Sequence, residues 1–119
     1  MPFLIHSAHK QGMYQRELKD IIPSYPKLDM ILAHAGMGDQ KTVVDTVRDA
    51  DNAFVDISAN HKHDIQLIVL SLGAEKVLFG SDAPYQSIQQ TLQRLQIDWV
   101  DNRSIEHVMY KNAEKILGL

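Results

Sequence analysis

Four side chains that can bind a metal ion or carry a proton occur at similar intervals along the chain. They are His6, His34, Asp56 and Asp82, and each lies at or just after the end of a short apolar segment with the composition of a β-strand. Imidazole nitrogens and carboxylate oxygens, in a chain without cysteine, suit a divalent ion such as zinc, manganese or nickel. Such an ion lowers the pKa of a bound water, and an adjacent aspartate can take the released proton. These residues therefore predict hydrolysis, or a decarboxylation in which metal-bound hydroxide adds to the substrate.

Alternating strands and helices are predicted between these four residues. The predicted strands cover Phe3–His6, Leu28–His34, Ala53–Ser58 and a segment that runs from Glu75 or Lys76 to Gly80. The predicted helices cover Met13–Ile22, Asp39–Ala50, Asp64–Leu72 and Gln86–Leu95, and two short helices end the chain. Four parallel βα units of this kind predict an α/β fold that is half of a (β/α)8 TIM barrel, in a single domain over residues 1–119.

Segment 64–72 is the one ambiguous element, because its β-branched residues would also suit a strand. We predict a helix, since Ile65 and Val69 share one helical face and Gly73 follows at the position where helices commonly end. The same periodicity predicts that Ile88 of the next helix points into the core.

The carboxyl ends of parallel strands meet at one edge of a sheet, so the four polar side chains are expected to converge there. Asp82 and His34 are the candidate catalytic residues, and His6, His34 and Asp82 are the candidate metal ligands. Asp56 is expected to form hydrogen bonds that orient its neighbours. The structural alternatives are a turn aspartate at Asp82 and a buried core histidine at His34.

Composition limits the partners and the compartment. The chain is 45% hydrophobic and 23% charged, and its formal net charge of -3 includes no basic block, so no nucleic-acid partner is expected. No apolar run approaches the roughly 20 residues that span a bilayer, so no membrane partner is expected. The absence of cysteine and of a signal-peptide pattern predicts a cytoplasmic protein.

The motifs around these residues resemble those of the amidohydrolase superfamily. They are His6 at a strand end, Ala33-His34-Ala35-Gly36, Val55-Asp56-Ile57-Ser58, Leu78-Phe79-Gly80-Ser81-Asp82-Ala83-Pro84 and the terminal segment 111–119. The chain is most similar to the amidohydrolase-related branch that includes aminocarboxymuconate-semialdehyde decarboxylase and the resorcylate-type decarboxylases. The resemblance implies that His6 matches the fifth-strand metal ligand. It likewise implies that His34 matches the sixth-strand histidine that positions substrate or water, and that Asp82 matches the eighth-strand aspartate that binds metal and handles the proton.

One part of the family pattern does not occur in this chain. The family has a His-x-His pair at the end of its first strand, and those two ligands would precede residue 1 here. His61-Lys62-His63 has the same spelling but follows the third strand, so the ligand role is not assigned to it. We therefore expect the carboxyl-terminal half of a barrel, incomplete as an enzyme on its own. A half-barrel has two exposed sheet edges, which predicts a homodimer or a complex with an amino-terminal half-barrel.

Two other functions fit the same sequence. A TatD-like metal-dependent deoxyribonuclease would suit the motif Ser81–Tyr85, and a non-catalytic half-barrel interaction module would need no metal. Among the remaining histidines, His9 is expected in a loop, whereas His61 and His63 are expected to be solvated, and His107 to lie on a helix surface.

Overall fold

Four parallel strands form the centre of the fold, in a computed structural model that describes residues 1–8, 15–96 and 100–119. They form one sheet in the order β1-β2-β3-β4, with bounds Phe3–His6, Met30–Ala33, Ala53–Asp56 and Val77–Leu78. The helices α1 to α6 cover Gln15–Ile21, Gln40–Arg48, Lys62–Leu72, Ile88–Leu95, Asn102–Glu106 and Asn112–Leu117. The predicted α/β fold with four parallel βα units is confirmed.

One face of the sheet packs against the helices. Leu32, Val55 and Val77 are paired across neighbouring strands, so their side chains share this face, and all three are fully buried. They join a core that includes Val43 of α2 and Ile65 of α3. Full burial of each such side chain contributes about 1.5–3 kcal/mol, so this layer fixes the positions of the strands.

The opposite face of the sheet carries the polar side chains at the strand ends. His6 is paired with Ala33, and Asp56 is paired with Leu78, so these four side chains lie on the side away from the core layer. On the edge strand β1 this face is open, since the side chain of Leu4 is 64% exposed. The pleat thus separates a packed helical side from a side that is free to hold a site.

The outer edge of β4 is covered by the carboxyl-terminal helical segment. The backbone hydrogen-bonding groups of Leu78 point toward β3, because its carbonyl oxygen accepts the amide of Ile57. These groups alternate in direction along a strand, so those of Val77 and Phe79 point toward the outer edge. There Asn112 Nδ2 donates to the Val77 carbonyl at 2.7 Å, and the Phe79 amide donates to a helix carbonyl at 2.8 Å. The prediction of two exposed edges is wrong for β4, whereas β1 pairs only with β2 among the described strands.

Several element boundaries differ from the predictions. Segment 62–72 is a helix, as predicted, and Gly73 follows it with a φ of 81°. Ile88 is 55% exposed, so its predicted core position is wrong. The two short terminal helices are joined by a π-helical turn over His107–Lys111. The predicted first helix begins at residue 13, which lies outside the described residues. No helix in the described ranges is long and apolar enough to cross a membrane.

Candidate active site

The ends of the four strands surround one cleft of about 400 Å3. Its lining includes His6, His34, Asp56 and Asp82, so the structure brings together all four side chains that the sequence singled out. Leu4, Ala33, Ser58, Gly80 and Ser81 complete the lining. Parallel strands that end at one rim produce this arrangement, because their terminal side chains leave the packed core together.

His34 lies in a left-handed turn directly after β2. Its φ is 62°, and Ala35 and Gly36 also have positive φ values. A non-glycine residue in this region costs of order 1–3 kcal/mol. Two side chains hold the backbone of His34 in place: its amide donates to Asp56 Oδ1 at 2.5 Å, and its carbonyl accepts from Asn60 Nδ2 at 2.9 Å.

Ser7 holds the two sides of the same turn together. Its buried hydroxyl donates to the carbonyl of Ala33 and accepts the amide of Gly36 at 3.1 Å. Gly36 itself leaves no room for a larger residue, because a Cβ at this position would overlap Val43 of α2. The turn that presents His34 is therefore fixed by β1 on one side and by α2 on the other.

The imidazole of His34 is almost buried and contacts two other polar residues. Its exposed fraction is 9%, and Nδ1 lies 2.9 Å from the hydroxyl of Ser58 and 3.3 Å from the Ser58 carbonyl oxygen. The ring of His6 packs edge-on against it, with 4.9 Å between ring centroids and an interplanar angle of 74°. The two histidines predicted as metal ligands are therefore in direct contact.

Asp56 connects β3 to both neighbouring strand ends. Its Oδ1 accepts the amide of His34 and the hydroxyl of Ser58, the latter at 2.8 Å. Its Oδ2 lies against Gly80, where an added Cβ would overlap the carboxylate and stand 3.1 Å from Cγ. The lack of a side chain at Gly80 therefore makes room for Asp56, which forms the orienting hydrogen bonds predicted for it.

Asp82 lies in the loop after β4 with a φ of 64°. Its carbonyl accepts the amide of Gln86 at 3.2 Å, and the neighbouring Ser81 hydroxyl accepts the amide of Ala83 at 3.2 Å. No described residue hydrogen-bonds the carboxylate of Asp82, which is partly exposed in the cleft. The carboxylate is therefore available to a bound group, and the turn around it is held by the Asp82 carbonyl and the Ser81 hydroxyl.

The donor types in the cleft fit a divalent ion, but their number is incomplete. Imidazole and carboxylate without thiolate suit zinc or manganese. Among the described residues, however, no group of three His, Asp or Glu side chains is placed to hold a metal ion. His6, His34 and Asp82 therefore remain predicted ligands, and a complete coordination shell needs further donors.

The other histidines lie apart from this cleft. His61, which precedes α3, and His63, in its first turn, are both exposed, as predicted. His107 is half-buried and its Nδ1 donates to Asn112 Oδ1 at 3.1 Å, so it is not the surface residue that we predicted. His9 lies outside the described residues.

Sequence reasoning missed the polar residues that support His34. Ser58 and Asn60 are buried, and each hydrogen-bonds His34. The position of Ser58 two residues after Asp56 was a usable signal, because alternation along a strand places such residues on one face. Asn60 follows in a turn next to Ala59, which has a φ of 62°, and no periodic pattern predicts its contacts.

Comparison with family models identifies one family for this chain. The family model described as Amidohydrolase matches residues 1–119. No match was found among curated proteins. Among solved structures, an uncharacterized TIM-barrel protein from Bordetella bronchiseptica aligns at a TM-score of 0.82 with 17% identity, over 99% of this chain and 46% of that one. Amidohydrolase 2 from Bifidobacterium longum subsp. infantis aligns at 0.78 with 15% identity, over 99% and 50%.

A third solved structure carries a bound metal. Dihydroxybenzoic acid decarboxylase from Polaromonas sp. JS666, with bound manganese and the inhibitor 2-nitroresorcinol, aligns at a TM-score of 0.70 with 19% identity. The alignment covers 88% of this chain and 38% of that one. The chain thus spans half or less of the length of these three structures, and the likeness shows a shared half-barrel fold.

Proposed function

The chain belongs to the amidohydrolase family, and on that basis we propose that it forms the carboxyl-terminal half of a metal-dependent hydrolase acting on a small organic substrate. One observation carries the proposal. His6, His34, Asp56 and Asp82 line a single cleft at the carboxyl ends of four parallel strands, which is where enzymes of barrel type place their chemistry. The volume of about 400 Å3 is in the range of small-molecule sites.

His6, His34 and Asp82 are the residues that we propose to hold the divalent ion. A bound ion of this kind supplies a water of lowered pKa and polarises a substrate oxygen. The chain's own residues orient the reacting groups: the turn at His34 is fixed through its amide and carbonyl, and Asp82 has a carboxylate free of protein donors in the described chain. Asp82 is the candidate proton acceptor and His34 the residue that positions substrate or water.

Decarboxylation is the second candidate reaction. The Polaromonas neighbour is a dihydroxybenzoic acid decarboxylase with bound manganese, which makes an aromatic carboxylate a reasonable substrate class to test and manganese a suitable probe. The same donor types serve hydrolysis and decarboxylation, so the choice between the two depends on the loops that contact the substrate. The deoxyribonuclease alternative has less support, because the matching family is the amidohydrolases and the net charge is -3.

We also propose that the chain associates through the open edge of β1. Phe3 is 57% and Leu4 is 64% exposed on this strand, and β1 pairs only with β2 in the described sheet. An unpaired, apolar strand edge is a template for a further strand. The partner is a second copy or an amino-terminal half-barrel. Analytical ultracentrifugation distinguishes these two partners. Self-association of the wild-type chain that is weakened by Leu4→Lys supports a second copy, whereas a monomeric wild-type chain supports an amino-terminal half-barrel.

Metal binding tests the proposed function. Manganese(II) is added to the 119-residue chain, and free ion is measured by electron paramagnetic resonance. We expect saturable binding at one site, weakened at least about tenfold by Asp82→Asn or His34→Ala. His63→Ala is the matched control, since it removes an exposed imidazole outside the cleft. The same affinity in all four proteins, or no binding at all, would favour the non-catalytic module instead.

A further inference from the structure

The imidazole of His34 has hydrogen-bond partners at one of its two nitrogens. Nδ1 lies 2.9 Å from the Ser58 hydroxyl and 3.3 Å from the Ser58 carbonyl oxygen. That hydroxyl also lies 2.8 Å from Asp56 Oδ1, the oxygen that accepts the His34 amide at 2.5 Å. Within the described chain Nε2 has no hydrogen-bond partner, although His34 lines the cleft.

The chemistry of these groups decides where the protons are. An ionised carboxylate can only accept hydrogen bonds, so the single proton of the Ser58 hydroxyl is donated to Asp56. The hydroxyl oxygen is then an acceptor toward His34, and the Ser58 carbonyl oxygen can only accept as well. Both partners of Nδ1 therefore require a donor. The proton of a neutral His34 ring is on Nδ1, and the lone pair is on Nε2.

We propose that Asp56 and Ser58 are positioning residues that hold His34 in the Nδ1-protonated tautomer, with Nε2 presented to the cleft as the acceptor or ligand atom. The proton placement stands on the hydrogen-bond geometry alone. The role of Nε2 as an acceptor or ligand atom rests on the proposed function. Asp56 and Ser58 both lie at the end of one strand, so a single element sets the tautomer of a histidine at the end of the neighbouring strand.

Surrounding contacts keep Asp56 and Ser58 in this arrangement. Asn60 Nδ2 donates to the Ser58 carbonyl at 3.0 Å and to the His34 carbonyl at 2.9 Å. Gln40 Nε2 donates to Asn60 Oδ1 at 3.1 Å, which agrees with the orientation of the Asn60 amide. On the other side, Gly80 lies against the carboxylate of Asp56. The Ser58 carbonyl therefore cannot turn away from His34 without losing the hydrogen bond from Asn60, and the Ser58 hydroxyl cannot do so without losing its bond to Asp56.

Nitrogen-15 NMR of the imidazole rings tests the tautomer directly. The uniformly labelled, metal-free chain is measured at alkaline pH, where free imidazole is neutral. We expect Nδ1 of His34 to have the chemical shift of a protonated nitrogen and Nε2 that of an unprotonated one. A wild-type spectrum with the proton on Nε2 would overturn the proposal, and this reading needs no substituted protein.

Substitutions then test whether Ser58 sets the tautomer. Ser58→Ala is expected to move the His34 shifts toward those of the other tautomer, and Ser58→Thr, which keeps the hydroxyl, is expected to restore them. Ser71→Ala is the matched control, because it removes an exposed serine hydroxyl on α3, outside the cleft. Unchanged His34 shifts in folded Ser58→Ala would overturn the role of Ser58.

The role of Nε2 is tested separately from the tautomer. Removal of a group that orients a metal-binding histidine typically lowers metal affinity by 10- to 100-fold. Ser58→Ala should therefore weaken manganese binding by about tenfold or more while Ser71→Ala does not. If the wild-type chain binds no metal, the proposed function fails and the tautomer result still stands. If the chain binds metal equally with and without Ser58, the positioning role fails and the proposed function remains.

Discussion

Replacement of Gly80 by alanine should damage the site through Asp56. A Cβ at Gly80 would overlap Asp56 Oδ2 and stand 3.1 Å from Cγ, so the carboxylate must move. That movement weakens the hydrogen bonds that Asp56 accepts from the His34 amide and the Ser58 hydroxyl. Hydrogen bonds to charged groups contribute about 1.5–3 kcal/mol each, so we expect Gly80→Ala to lower the free energy of unfolding by about 3 kcal/mol.

A double-mutant cycle isolates this effect. In the background of Asp56→Ala no carboxylate meets the added methyl group, and the φ of Gly80 does not lie in the positive region that strains alanine. There Gly80→Ala should change the free energy of unfolding by less than about 1 kcal/mol, in the stabilising direction expected when a glycine is removed from the unfolded chain. The expected coupling energy, which is the difference between these two effects, is therefore about 3–4 kcal/mol.

Urea unfolding followed by far-ultraviolet circular dichroism measures all four proteins of the cycle. The comparison assumes two-state unfolding, which a constant urea dependence across the four proteins would support. An equal loss of stability on Gly80→Ala in both backgrounds would refute the reasoning. It would mean that the cost comes from the backbone at Gly80 and not from the contact with Asp56.

Three further predictions concern the parts of the fold that hold the strands. Asn112→Ala should cost about 2–4 kcal/mol in urea unfolding, because two carbonyls lose their partner, whereas Asn102→Ala on the exposed face should cost little. Lys76→Met should cost about 1–3 kcal/mol, because Lys76 Nζ donates to three backbone carbonyls at the amino end of β3; burial also lowers the pKa of this ammonium. Hydrogen bonds from Ser104, that of its backbone amide first, lower the pKa of the Asp101 carboxyl below 3.8 in the folded protein. The stabilisation that Asp101 contributes is therefore complete above pH 3.8, and it is lost as the pH falls through the lowered pKa of the folded state. Asp101→Ala should remove this loss of stability at low pH, measured as the free energy of unfolding in urea at a series of pH values. An unchanged pH dependence would contradict the assignment.

The order of the elements was predictable because each has a strong local signal. Leu32, Val55 and Val77 come from apolar runs that only a buried strand explains, and the helix at 62–72 ends where Gly73 was expected to end it. The first strand has its predicted bounds, whereas β2, β3 and β4 are shorter than predicted. β2 ends before His34, because His34 lies in a left-handed turn. That conformation depends on the hydrogen bond that the His34 amide donates to Asp56, which lies on another strand, and local propensity carries no information about it.

The candidate site was predictable as a set of strand ends, but its supporting groups were not. Parallel topology alone brings His6, His34 and Asp82 to one rim once the strands are recognised. The contacts of Ser58 and Asn60 depend on loop conformations after β3, which periodicity does not describe. The covering of the β4 edge was missed for the same reason, because it requires knowing where the terminal helices pack.

The location of bound manganese tests the central claim, that the carboxyl ends of the four strands form the metal site. Manganese broadens the NMR signals of nearby nuclei, and sub-stoichiometric amounts can be added to the labelled chain. We predict that broadening is strongest at Ser81, Asp82 and the ring of His34, and weakest at Asn52 and Lys76 near the opposite ends of the strands. Broadening centred on Asn52 and Lys76, or spread evenly over exposed carboxylates, would contradict the assignment of this cleft as the metal site.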